Sequence, residues 1–356
     1  MRALLILPYC NRGGTELHSH LLARYLRGRD WQVLVAAPPG DFAREFAAAG
    51  CEVVPLPAIT LSSFGAAMRR CREVAGQADL VHVHAAQEFC GGLRLAGYRG
   101  PLVFTAHGYN QPLDYAKAGL FLNPFCRHVV AVSRTDAARL RRGGVRRIEV
   151  IPNGVDLEAF GTLDRSRARA ELEWAGSEPV ALCVGRLDKL KAPHDAILAL
   201  AAGRTRFTLV LAGGGPAEPR LARMAAALGV ADRVRFLGWR DDVPRLLAAA
   251  DLFVSPSRSE AFPLAVIEAM ASGLPVVVSD IPAHLELVRN GQDGLVFRRG
   301  RARDLANAIT LLCDVPGVRA PLAEGARRRA GHFSWLAMGE RTLEVYRAAM
   351  GEAPAG

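Results

Sequence analysis

Asp251-Leu-Phe-Val-Ser255-Pro-Ser257-Arg-Ser-Glu260-Ala-Phe262-Pro263-Leu264-Ala-Val-Ile-Glu268-Ala-Met-Ala-Ser-Gly273-Leu-Pro-Val-Val-Val-Ser-Asp280 reads as strand, polar loop, helix, glycine turn and strand. Pro263 is expected at the first helical position, where its preset φ suits the helix and its missing N–H leaves nothing unmet. The free N–H groups and positive dipole end of that helix then face the loop, a place for an anion. Glu260 closes the loop, and Glu268 lies eight residues on, inside the helix. A loop carboxylate, a helix N-terminus and a helix carboxylate in series match an extended ligand with hydroxyls at both ends and phosphates between them. A sugar nucleotide has that form.

The same strand–helix alternation extends in both directions. Ala3–Leu7, Gln32–Ala36, Glu52–Pro55, Leu80–His84, Leu102–Thr105, Val129–Val132 and Ile148–Ile151 read as short strands, with helical patterns such as Thr15–Leu26 and Phe42–Ala49 between them. A second series follows in Val180–Val184, Phe207–Ala212, Val234–Leu237, Leu252–Ser255, Pro275–Val278 and Leu295–Phe297. Strands alternating with helices make parallel sheets covered on both faces. The expected fold is therefore α/β, with two Rossmann-like, doubly wound domains and a cleft at the carboxyl ends of their strands. The boundaries read as 1–158 for the first domain, 159–176 for a charged linker with a short helix, and 177–334 for the second.

At 356 residues, half of them hydrophobic, the chain can bury two cores. No apolar run reaches the roughly 18 residues that span a bilayer, and the start, Met1-Arg-Ala-Leu-Leu-Ile-Leu-Pro8, reads as a buried strand rather than a signal peptide. Seven scattered cysteines show neither metal spacing nor a disulfide framework, as expected of a reducing cytoplasm. The formal charge of +10 includes the clusters Arg69, Arg70, Arg72 and Arg139, Arg141, Arg142, Arg146, Arg147. The plain account is a solvated arginine-rich face. The alternative is peripheral contact with an anionic membrane surface at the inner face. Nucleic acid is disfavoured, because aromatics do not interleave with the basic residues.

Further motifs accompany the first in a fixed order. Asn11-Arg-Gly13-Gly14-Thr15 follows the first strand, and Thr105-Ala-His107-Gly108 and Ile151-Pro-Asn153-Gly-Val-Asp156 come later in the first half. Val184-Gly185-Arg186-Leu187 with Lys191, and Arg233-Val-Arg-Phe-Leu-Gly238, precede the Glu260/Glu268 segment. This ordered set, over nearly the whole chain, resembles the retaining glycosyltransferases of family four, which have the GT-B fold. The resemblance implies that Gly13 and Gly14 contact the donor diphosphate or the acceptor, and that His107 contacts the donor sugar. It implies that Arg186 and Lys191 hold the diphosphate, a forked guanidinium and a point ammonium stabilising the leaving group. Glu260 would bind sugar hydroxyls beside backbone groups of Phe262, Pro263 and Leu264, although Pro263 has no N–H to donate. Glu268 would accept from the ribose, Trp239 and Arg240 would flank the base, and the helix 335–350 would return to the first domain.

Each of these residues has an ordinary reading as well: a βα turn for Gly13-Gly14, a structural group for His107, solvated charges for Arg186, Lys191 and Glu268. His82 and His84, two apart on a strand, share a face and have chelating spacing, but no acidic or cysteine partner is evident and a structural role is preferred. His18 and His20 lie on a helix, where residues two apart diverge. Gly213-Gly214-Gly215 has Glu218 where a dinucleotide fingerprint needs its third glycine, which disfavours a dehydrogenase. No Asp-x-Asp occurs, so no metal or other cofactor is expected and cationic side chains would serve the diphosphate. The expected activity is transfer of a hexose-type sugar from a nucleoside-diphosphate sugar to a sugar or lipid-linked acceptor in cell-envelope or polysaccharide synthesis. The alternatives are a sugar-nucleotide epimerase or hydrolase on the same fold, and a non-catalytic nucleotide-sugar-binding protein.

Overall fold

The computed structural model describes residues 1–109, 111–174 and 176–351, which divide into two compact units. The first comprises Met1–Gly154 and the segment from Trp335 onward, and the second Val155–Ser334. In chain order the first contains β1 (Arg2–Ile6), α1 (Gly14–Arg27), β2 (Gln32–Ala37), α2 (Ala43–Ala48), β3 (Glu52–Pro55), α3 (Phe64–Ala75) and β4 (Leu80–His84). It continues with α4 (Glu88–Leu95), β5 (Leu102–Ala106), α5 (Pro112–Leu122), β6 (His128–Ala131), α6 (Arg134–Arg142) and β7 (Ile148–Val150). Among the described residues these strands form one parallel sheet in the order β3-β2-β1-β4-β5-β6-β7. In its register Ala3 lies opposite Val33 on one side and Leu80 on the other.

Each strand alternates its side chains between two cores. Leu4 and Ile6 of β1 join Val81, Val83, Phe89, Leu93 and Phe104 on one face. Ala3 and Leu5 join Leu22, Tyr25, Trp31 and Tyr346 on the other. Every residue of β4 and β5 is buried, as expected of strands covered on both faces. Burial of each Leu, Val, Ile or Phe contributes at most about 1.5–3 kcal/mol, so these two layers are the main support of the loops at the sheet's carboxyl edge.

The second unit runs α7 (Arg165–Glu171), β8 (Val180–Val184), α8 (Pro193–Ala202), β9 (Thr208–Ala212), α9 (Glu218–Ala227), β10 (Val234–Gly238), α10 (Val243–Ala249) and β11 (Leu252–Ser255). Then come α11 (Leu264–Ala271), β12 (Val276–Ser279), α12 (Pro282–Leu287), β13 (Leu295–Phe297), α13 (Ala302–Asp314) and α14 (Arg319–Ala330). The described sheet is parallel, in the order β10-β9-β8-β11-β12-β13. Its order reverses at β8, where the chain leaves the β8–β9–β10 half for β11, the kind of switch point at which open α/β sheets take ligands.

The segment 159–176, read from sequence as a linker with a short helix, lies in the second unit. Asp164 caps α7 by accepting from the Arg167 N–H at 2.8 Å. Asp251 then ties the segment down: Arg165, Arg169 and Arg319 reach its carboxylate at 2.7, 3.3 and 3.2 Å, and the Val180 N–H donates to it at 2.9 Å. The short helix read from sequence is α7, and partly buried Asp251 gathers Arg165 and Arg169 from it.

The last helix, α15 (Trp335–Met350), packs against α1 in the first unit. Gly339 makes this possible, since a Cβ there would lie 2.2 Å from the Tyr25 ring. The Tyr25 hydroxyl donates to Glu340, and the buried Tyr346 hydroxyl meets His82 Nδ1 at 2.7 Å. No helix among the described residues is long and apolar enough to cross a membrane.

Candidate active site

In the second unit, the loops leaving the carboxyl ends of β8, β9 and β10 are stitched together through glycine. Gly185 and Gly213 have φ of +142° and +143°, a region side chains rarely adopt, and a Cβ on Gly213 would lie 2.0 Å from the Gly185 carbonyl oxygen. The Leu187 N–H donates to the Gly214 carbonyl at 2.9 Å, and the Gly213 N–H to that of Gly238 at 2.7 Å. The glycine run that fails as a dinucleotide fingerprint is thus a close-packing device.

From that seam the chain turns back on itself. Asp188 Oδ1 accepts from the N–H groups of Leu190 and Lys191, each at 2.9 Å. Ala192 follows in the left-handed region at φ +52°, an uncommon state for a residue with a Cβ, and Pro193 opens α8. This turn aims Lys191 across the sheet end, its stem passing 3.4 Å from where a Gly185 Cβ would be. Its Nζ lies 2.6 Å from Glu260 Oε1, and the Ser257 hydroxyl donates to the same oxygen at 2.7 Å. Burial pushes the Glu260 pKa up, but the Lys191 ammonium and the Ser257 hydroxyl together outweigh it and hold the carboxyl below its ordinary value.

A buried polar layer that sequence reasoning missed lies beneath Glu260. His284 Nε2 meets the Ser255 hydroxyl at 3.1 Å, and its Nδ1 lies 2.9 Å from the Ser279 carbonyl. Ser279 donates to the Ser257 carbonyl at 2.5 Å, closing the layer onto the residue that holds Glu260. The signal available in sequence was faint: serines ending two adjacent strands and one histidine in the following helix.

Helix α11 begins at Leu264, and Pro263 occupies the N-cap with φ −82° and ψ 89° rather than the expected first helical position. The correction has a simple cause: the extended ψ of Pro263 keeps it just outside the helix, while its carbonyl accepts the first bond, from the Val266 N–H at 3.1 Å. Glu268 is partly buried on this helix. Burial pushes its carboxyl up to about 7, against the pull of the Lys191 charge. The two glutamates of the motif therefore differ in kind: Glu260 is an ion-paired carboxylate, and Glu268 is poised to hold a proton near neutrality.

The remaining expected residues of this unit are placed less directly. Arg186 is exposed and donates to Asp188 at 2.6 Å, its fork otherwise turned to solvent. Arg240 is held bidentately by Asp242 at 2.7 and 2.6 Å. Trp239, 59% exposed, leans its indole nitrogen over Gly214. Phe262 turns its ring into the core, edge-on to Phe333 at 5.8 Å, so only its backbone faces outward.

In the first unit, α1 starts at Gly14 with Gly13 as N-cap. Glu16, in its first turn, folds back to accept from its own N–H and that of Asn11. One of its oxygens would lie 2.8 Å from a Cβ on Gly13. This resembles half of a capping box. Burial pushes the Glu16 pKa to about 7, so the charge presented by this glycine loop depends on a residue the motif did not flag. His107 follows β5 and is partly exposed. Its Nε2 lies 3.1 Å from His84 Nδ1, and the His18 ring stands edge-on to it at 4.8 Å. Burial holds His18, His82, His84 and His107 below the ordinary histidine pKa, His18 at about 4. His82 is fully satisfied by Tyr346 and by Thr105, 2.7 Å away on either side, the structural role expected of it.

Two parallel α/β units, one ending in a glycine seam with a Lys–Glu pair beside a helix N-terminus, define a glycosyltransferase of the GT-B fold. Comparison with known proteins bears this out. Residues 12–159 match the model of glycosyltransferase family 4, and residues 164–329 match that of glycosyl transferases group 1. The chain is 35% identical over 353 residues to the D-inositol 3-phosphate glycosyltransferase of Nocardia farcinica, covering 89% of this chain and 77% of that protein. The enzyme of the same name from Mycobacterium tuberculosis is 34% identical over 351 residues, covering 90% and 72%. The crystal structure of Anabaena HepE in complex with UDP-glucose matches with a TM-score of 0.89 at 27% identity, over 98% of this chain and all of that one. The chain belongs to glycosyltransferase family 4.

Proposed function

We propose that this enzyme moves a hexose-type sugar from a nucleoside-diphosphate donor to an acceptor hydroxyl, with retention of configuration and without a metal ion. The observation that carries the reading is the Lys191–Glu260 pair, 2.6 Å apart beside the N-terminus of α11. A bound diphosphate would draw the ammonium toward its own oxygens and leave Glu260 free to accept from sugar hydroxyls. Charge grows on the diphosphate as the glycosidic bond breaks, so a fixed cation there stabilises the transition state more than the ground state. Arg186, which needs only to swing from Asp188, would add its fork. Glu268 would accept from the ribose, with Trp239, Arg240 and the backbone of Phe262, Pro263 and Leu264 around the donor. His107, Gly13 and Gly14 would serve from the first unit. Retention would follow a front-face path, the departing phosphate oxygen taking the acceptor proton.

The UDP-glucose held by HepE makes a uridine-diphosphate hexose the donor of first choice. The names of the Nocardia and Mycobacterium relatives point to a phosphorylated cyclitol as acceptor, in place of the sugar or lipid-linked acceptor expected from sequence. A role in cell-envelope synthesis is compatible with either acceptor. The test is product formation from UDP-glucose and other UDP- and GDP-sugars, with and without inositol monophosphate, in excess EDTA, with the anomer read by NMR. An α-linked product that needs the acceptor and survives EDTA is expected. Activity lost in EDTA and restored by Mg²⁺ would overturn metal independence, and donor turnover indifferent to every acceptor would favour the hydrolase or epimerase reading.

A further inference from the structure

The first unit contains a group of three histidines of which the transfer reaction accounts for His107 alone. His18 of α1, His84 at the end of β4 and His107 after β5 each bring one ring nitrogen to within 4.8 Å of those of the other two. His82, one turn of the pleat from His84, is the internal comparison, with both of its nitrogens bonded at 2.7 Å. His18, though buried, has no hydrogen-bond partner on either ring nitrogen, and His84 Nε2 has none. Asn153 lies near enough to His18 to favour its charged form but not in hydrogen-bond geometry, and its own Oδ1 is also unmet. Each buried polar atom left in this state costs about 1–3 kcal/mol. The unmet ring nitrogens of His18, beside a His84 Nδ1–His107 Nε2 pair only 3.1 Å apart, point to a ligand shared by the three rings.

We infer that His18, His84 and His107 form a three-histidine site for a borderline-soft divalent cation of the Zn²⁺ type. Neutral imidazoles suit that class of ion. At metal–nitrogen distances of about 2.0–2.1 Å, the nitrogens of a tetrahedral site stand roughly 3.3 Å apart. The His84 Nδ1–His107 Nε2 separation of 3.1 Å is already of that size, and rotation of the His18 ring closes the remainder. Three protein ligands leave a fourth position, and His107, the partly exposed member, gives it an outlet to solvent. The ion would be separate from the diphosphate chemistry, which Lys191 and Arg186 serve in the other unit. It would compete for His107, the side chain assigned above to the donor sugar.

The experiment reads the ion directly, so its failure leaves the transferase reading intact. The full-length protein, stripped with chelator, is titrated with Co²⁺ and followed by its visible d–d bands. We expect one Co²⁺ per chain with the intense spectrum of a four-coordinate site, displaced by one equivalent of Zn²⁺. His18→Gln should weaken binding by at least about 100-fold, whereas His194→Gln, at a half-exposed position in the other unit, should leave it unchanged. X-ray absorption of the Zn²⁺-loaded wild type should count three imidazoles, which keeps the assignment testable if the His18 variant does not fold. A featureless titration, an affinity indifferent to His18→Gln in a folded variant, or fewer than three imidazoles would overturn the site.

Discussion

Lys191 is the side chain on which most depends. If it stabilises the departing diphosphate, Lys191→Ala should lower kcat/KM by roughly 30- to 1000-fold, about 2–4 kcal/mol of transition-state stabilisation. A solvated lysine would change it little, since exposed charges contribute roughly 0–1 kcal/mol. Steady-state kinetics on a variant shown by circular dichroism to be folded separate the two. Glu268 makes a different kind of claim. A ribose contact persists from bound donor to transition state, so Glu268→Gln should raise the donor KM and leave kcat within a few-fold. A collapse of kcat at unchanged KM would make Glu268 a participant in the chemistry, and its carboxyl, held at about 7, is suited to that role. Most of these side chains were legible from sequence because the ordered motifs fix their types and spacing. Their partners were not. Nothing in the spacing of Lys191 and Glu260 says they pair, and Glu16, Ser257 and His284 become visible only once strand ends are side by side.

At the scale of elements, the strands were the most legible part, because a buried parallel strand is a short apolar run and little else resembles it. Their ends shifted by a residue or so, as at β1 and β12. The helices α4 and α5 were harder. Glycines and mixed polarity blur the helical period of both. In segment 159–176 the short helix was legible, but its attachment to the second unit was not, because the anchoring Asp251 is some eighty residues away. The glycine seam carries its own prediction. Gly213→Ala would place a Cβ on the Gly185 carbonyl and force a side chain into a positive φ. A side chain held in so sparsely populated a backbone region costs about 1–3 kcal/mol before any clash, so we expect a loss of at least about 2 kcal/mol in urea denaturation, with donor affinity falling in parallel. Gly229→Ala is the control. It shares the positive φ but has open space around it, and should show only the smaller cost.

For the molecule as a whole, buried His284 and partly buried Glu268 of the second unit make stability depend on pH in opposite directions. Burial lowers His284 from 6.5 to about 4, against the pull of Glu260 and the Ser279 carbonyl. The native state then binds fewer protons than the unfolded chain between those values, so this stability is present above pH 6.5 and lost as pH falls to 4. Glu268 is raised from 4.5 to about 7. There the native state binds more protons, and its contribution is present below pH 4.5 and lost as pH rises through 7. Each shift corresponds to about 3 kcal/mol at most, so the two largely offset one another between pH 4.5 and 6.5. Urea denaturation of the full chain should therefore separate them by variant. Relative to wild type, His284→Gln should become less stable as pH rises through this window, and Glu268→Gln more stable. Parallel pH profiles for all three proteins would show that these groups do not titrate as described.

The return of α15 to the first unit has a consequence for how the protein is made. The ribosome delivers Met1–Gly154 first, yet Tyr25 and His82 meet Glu340 and Tyr346 only after some 180 further residues have been synthesised. Until then the face of the earlier sheet that α1 covers lacks Met338, Leu343, Val345 and Tyr346 of α15, and His82 Nδ1 lacks its phenol. The nascent N-terminal half is thus a client for whatever shields apolar surface during translation, and its completion waits on the far end of its own polypeptide.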